Sequence, residues 1–104
     1  MSLDVAHVHA GRDAFNRGEW FEAHERWERA WLVAGEPEKR YLQGLVQVCA
    51  ALIKLERQRD DLYASLVARA LEKLADAPDT FAGLDVGGLR NVLRGGLPLG
   101  LPRL

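Results

Sequence analysis

One short stretch concentrates the side chains that could do chemistry: His24-Glu25-Arg26-Trp27-Glu28. His24 and Glu28 are four apart, so on a helix they meet on one face. A carboxylate set among apolar neighbours needs a partner or a proton, because desolvation penalises its charged form. Arg40, Gln43 and Gln47, spaced along one stripe further on, are the obvious suppliers. Three uses compete for such a cluster of Glu22, His24, Glu25, Glu28, Arg40, Gln43 and Gln47. It could be a satisfied structural network, a pocket for a small polar ligand or a partner's side chain, or a metal or acid–base site. The structural network leads, since buried polar groups in native proteins are normally paired. His24 and Glu28 are accordingly expected to be mostly buried and joined to at least one of Arg40, Gln43 or Gln47, directly or through water.

The catalytic use has the weakest signature. The stretch reads H-E-x-x-E, not the H-E-x-x-H that sets two zinc-binding histidines on one helix face. Di-iron bundles need Glu-x-x-His on two helices, and the chain has none. His7 and His9 project to opposite sides of their helix, so they cannot both join His24. No G-x-S-x-G, P-loop or dinucleotide fingerprint occurs. Cys49 lies in the apolar run from Leu45 to Ile53, where a lone thiol serves as a small core hydrophobe. No metal and no cofactor is expected.

The elements that must position these residues are helical. A first helix is predicted from an Asp4 cap to Arg17, stopped by Gly18. A second runs from about Glu19 to Ala34, with Trp20, Trp27 and Trp31 packing on one side among alanines, and Phe21 and Leu32 widening that apolar arc. A third, from about Pro37 to Arg57, is apolar over more than half its circumference and should be central. Leu45, Val46, Cys49 and Ile53 are expected to be nearly inaccessible there. A fourth starts near Asp60 or Asp61 and ends before Pro78. A short fifth extends from Val86 to Arg94, capped by Asp85 and stopped by Gly95-Gly96, despite the helix-weakening Gly87-Gly88. No strand pattern is visible. Residues 1–96 form one domain, and 97–104 an extended tail whose leucines, Leu97, Leu99, Leu101 and Leu104, are expected to dock, across their own bundle or against a second copy of the chain.

Gly18, Trp20, Ala23, Trp27 and Ala30 fall where a tetratricopeptide repeat has its glycine, aromatic, alanine, aromatic and alanine, and Gly11 matches the small residue of that repeat's first helix. There is no second copy, so the spacing predicts one tightly packed hairpin and not a solenoid. Phe15-Asn16-x-Gly18-Glu19-x-Phe21-Glu22-Ala23-His24-Glu25-x-x-Glu28-x-x-Trp31, followed by Arg40-Tyr41-Leu42-Gln43-Gly44-Leu45-Val46-Gln47, resembles the domain of unknown function 309 family. The resemblance implies a small all-helical protein and carries no reaction with it. Trp27 stands where that family's pattern has an aliphatic residue, which implies bulkier packing near His24.

The chain has 104 residues, 48% hydrophobic and 28% charged, with a formal charge of -1. That balance supplies no field for nucleic acid or an anionic membrane. Arg90, Arg94 and Arg103 make the C-terminal stretch locally basic but read as solvated surface. The N-terminus lacks a signal-peptide pattern and no run approaches a membrane span, so the cytoplasm is the expected location. The fold class is all-α: a compact bundle of four main helices plus a short one. The leading function is an interaction or ligand-binding module, its partner a protein or a second copy of the chain. The alternative is a metal-dependent or acid–base enzyme using His24, Glu25 and Glu28.

Overall fold

The first helix, α1 (Val5–Asn16), begins where Asp4 accepts the His7 backbone N–H at 3.2 Å, in a computed structural model that describes residues 3–95 and 103–104. That bond, helped by the His7 ring, holds the Asp4 carboxyl below its ordinary pKa. Gly18 then turns the chain with a φ of +78°, a left-handed conformation that glycine adopts without steric cost. After it α2 (Trp20–Val33) runs back along α1. The close approach rests on Gly11, where an added Cβ would overlap the Trp27 indole. Trp27 is wholly buried, and its Nε1–H donates to the Val8 carbonyl at 2.9 Å. Phe15 packs on both Trp20 and Trp27, with ring centroids 5.2 and 5.7 Å away.

Pro37 precedes α3 (Glu38–Glu56), which lies between α2 and α4 (Asp60–Leu74). Gly44 lets α4 come close, since a Cβ there would stand 2.7 Å from Leu74 Cγ. Leu42, Leu45, Val48 and Cys49 are fully buried, so α3 is central as expected. Burial pushes the Cys49 thiol pKa far up, which leaves it inert. Val46 and Ile53, however, are only half-buried. The helix has neighbours on two sides, and these residues lie on an edge that neither neighbour covers. The most extensive packing is between consecutive helices, α1 on α2, α2 on α3 and α3 on α4.

After α4 the absence of strands is corrected by a minimal hairpin, β1 (Thr80–Phe81) paired antiparallel with β2 (Leu84–Asp85). Ala82 and Gly83 both have positive φ, 49° and 83°, as a two-residue turn of this twist requires. Two residues per strand are too few to print an alternating pattern. The hairpin is tied to α1 through the His9 ring and the Ala82 carbonyl, 2.9 Å apart. It leads into α5 (Val86–Gly95), where Asp85 caps the Gly88 N–H at 2.9 Å. Both glycines fit their places: Cβ atoms at Gly87 and Gly88 would run into the side chains of Asp79 and Asp85.

Arg90, expected on the surface, is 8% exposed. Its guanidinium donates to the carbonyls of Leu74 (3.0 Å) and Ala77 (2.7 Å) and pairs with Asp79. The end of a helix leaves carbonyls short of partners; here Nη1 of the guanidinium serves both carbonyls while Nη2 reaches Asp79, a two-pronged grip that lysine lacks. Arg90→Met should therefore lower stability by about 1–3 kcal/mol in urea titrations, because the Ala77 carbonyl loses its guanidinium partner and the Leu74 carbonyl keeps only the Ala77 N–H. Arg90→Lys, lacking that grip, should recover only part of that loss.

At the other end of the chain, Leu104 is buried and its N–H donates to Asn16 Oδ1 at 2.8 Å. Gly96 and the expected tail residues Leu97, Pro98, Leu99, Leu101 and Pro102 lie outside the described residues. No helix among the described residues is long and apolar enough to cross a membrane. The fold is an all-α bundle.

Candidate functional site

The stretch around His24 folds as helix because alanines and tryptophans recur at helical spacing over it. Its buried arc is narrower than the apolar residues suggest. Ala23, Trp27, Ala30 and Ala34 face inward, while Trp20 and Trp31 are half-buried against the core. Phe21 and Leu32, expected to widen that arc, are instead 66% and 65% exposed. Phe21 borders α3, where it lines two hollows with Ile53 and Arg57, and Leu32, eleven residues on, falls on the same side of α2.

This displacement changes the polar cluster. Glu25 and Glu28 are exposed, not buried, and His24 is half-buried. Among the described residues no direct hydrogen bond joins His24 or Glu28 to Arg40, Gln43 or Gln47, although Glu28 and Gln43 border one hollow. Arg40 turns instead to α4, donating to the Glu72 carbonyl at 3.0 Å, and so serves that helix end as Arg90 does. Glu22 pairs with Arg26 at 2.7 Å on the outer face. The Gln47 side-chain oxygen is buried without a hydrogen-bond partner among the described residues. Trp31 holds the Lys39 ammonium 3.9 Å from its ring centroid, and its own carbonyl accepts from that ammonium at 2.7 Å.

Three hollows lie between α2 and α3, two of them adjoining. One of about 500 Å³ is lined by Trp20, Phe21, Glu25, Ile53, Glu56 and Arg57, among others. A second, about 240 Å³, shares Phe21, Ile53 and Arg57 with it and adds His24, Ala50 and Lys54. There the Phe21 and His24 rings stack, with centroids 6.5 Å apart. The third, about 150 Å³, lies between Glu28, Trp31, Gln43 and Val46. His24 and Glu28 thus serve different hollows, and no described hollow holds His24, Glu25 and Glu28 together. Among the described residues, no three His, Cys, Asp or Glu side chains converge as a metal set.

The arrangement that emerges is a groove with two periodic edges. On α2 the outer lip is Phe21, Glu25, Glu28 and Leu32, spaced by four, three and four. On α3 the facing lip is Gln43, Val46, Ala50, Ile53 and Arg57, spaced by three and four alternately. That spacing returns a residue to one side of a helix about once per turn. Chemically the groove offers apolar contact, unpaired carboxylates and an aromatic ring. Sequence reasoning named Glu25, Glu28 and Gln43 but missed Phe21 and Leu32 as site residues. The signal for them was present: they lie at the margin of the apolar arc, at the same spacing as the two glutamates.

A family model described as "Domain of unknown function (DUF309)" matches residues 8–66, which include both lips of the groove. An uncharacterized protein of Aquifex aeolicus (strain VF5) is 33% identical over 81 residues, covering 77% of this chain and 24% of that protein. The chain therefore spans about a quarter of the length of the curated relative it matches.

Proposed function

The chain belongs to the DUF309 family, and on that premise we propose that it is a binding module whose α2–α3 groove docks a segment of a partner protein. The observation that carries this reading is the exposure of Phe21 and Leu32 on one strip beside a groove lined by Val46 and Ile53. Large apolar side chains grouped on a surface, and aromatics above all, mark places where a partner is received. The hairpin of α1 and α2 supports the same role. Its tetratricopeptide-like spacing and the Gly11–Trp27 contact make a stiff backing for the groove. The cytoplasm is the proposed location, supported by a single cysteine that is buried and needs no oxidising compartment.

The test is site-specific photo-crosslinking in cells, with the reactive side chain placed at Phe21 or, as a control, at exposed Arg69 on α4. The expected result is one discrete adduct from position 21, lost when Leu32→Glu is added, and none from position 69. Equal adducts from both positions, or none from position 21, would overturn the reading.

A further inference from the structure

We infer that the occupant of the groove is a basic amphipathic helix of a partner protein; the inference rests on the docking reading above. Shape comes first. The lips on α2 and α3 both repeat at three and four residues, and the helices run antiparallel, with Phe21 near Ile53 and Glu28 near Val46. Two such seams side by side form the holes into which a third helix inserts its own apolar residues. An extended strand has nothing to pair with here, because the backbone groups of both helices are used internally. Phe21 and Leu32 are eleven residues apart, about 16 Å along the axis, so the matching helix needs about three turns.

Charge selects the kind of helix. Glu25 and Glu28 sit between the two apolar anchors and form no ion pair among the described residues, whereas neighbouring Glu22 is already held by Arg26. A partner with Lys or Arg flanking its apolar seam meets both carboxylates. A second copy of this chain is disfavoured, since setting one α2 strip on another brings Glu25 and Glu28 against their own copies. Lys54 and Arg57 line the far end of the groove. They set the polarity, because the negative C-terminal end of the docked helix is best received there.

The test uses three fluorescein-labelled, hydrocarbon-stapled helices with the same leucine seam at three- and four-residue spacing. Their flanking positions are Lys/Arg, Gln or Glu. Fluorescence anisotropy with the full chain should show the Lys/Arg helix binding about fivefold or more tighter than the Gln helix, with the gap closing as salt rises. The double variant Glu25→Lys/Glu28→Lys should transfer the preference to the Glu helix, and Phe21→Ser should weaken all three. All these positions are exposed, so the variants fold, which circular dichroism checks. Equal binding of the three helices would overturn the inference while leaving the docking reading intact. No binding by any of them would also overturn it, and the crosslinking result would then judge the docking reading alone. Self-association by sedimentation that Phe21→Ser abolishes would overturn it too, by assigning the groove to a second copy.

Discussion

Replacing Trp27 with alanine is expected to cost about 3–5 kcal/mol of stability, close to the whole margin of a domain of this size. The indole is fully buried between α1 and α2, and its removal also takes the Nε1–H donor away from the Val8 carbonyl. A companion substitution isolates the cause. Gly11→Ala gains about 1 kcal/mol in helix propensity, yet its Cβ would overlap the indole. In the parent protein it should therefore destabilise, by about 1–3 kcal/mol. In the Trp27→Ala background the obstacle is gone, and the same change should stabilise. A sign reversal of this kind, measured in a urea-denaturation double-mutant cycle, demonstrates direct coupling. If Gly11→Ala already stabilises the parent, the two helices are not held at the distance seen here.

The second large effect is expected at Leu45. Its side chain is wholly buried at the middle of α3, so Leu45→Ala should cost about 2–5 kcal/mol. Val46→Ala and Ile53→Ala should each cost distinctly less, although both residues belong to the same apolar run. They line the groove and are already partly in water. Urea midpoints in the order parent, then Val46→Ala and Ile53→Ala, then Leu45→Ala would confirm the open edge. Equal losses at all three would mean that this edge is covered in solution.

That contrast shows what the amino-acid sequence carries and what it does not. Helix positions were legible because Asp4, Gly18, Pro37 and Asp85 punctuate the chain in the expected way. The centrality of α3 was legible in the width of its apolar surface. Periodicity, however, measures how much of a helix is apolar, not how much of that surface finds a neighbour. Phe21 and Leu32 looked like core for this reason, and Glu28 beside them looked like a buried carboxylate. Arg40 and Arg90 were misread for a different reason: their partners are backbone carbonyls at the end of α4, which leave no mark in residue types. The candidate site thus kept several of its residues and changed its nature, from a closed polar network to an open groove.

The order in which the helices pack also bears on how fast the chain can find this fold. The most extensive helix packings, α1 on α2, α2 on α3 and α3 on α4, join neighbours in the chain, so most native contacts close short loops. Closing a short loop costs little chain entropy, and proteins rich in local contacts fold on the order of microseconds to milliseconds. Assembly can proceed hairpin by hairpin from either side of α3 without waiting for distant segments to meet. The bonds that tie α1 to the end of the chain are the exceptions: Leu104 to Asn16 spans 88 positions and His9 to Ala82 spans 73. Such a contact is best made last, after the helices are in place. Mutations there should accelerate unfolding and leave the folding rate nearly untouched.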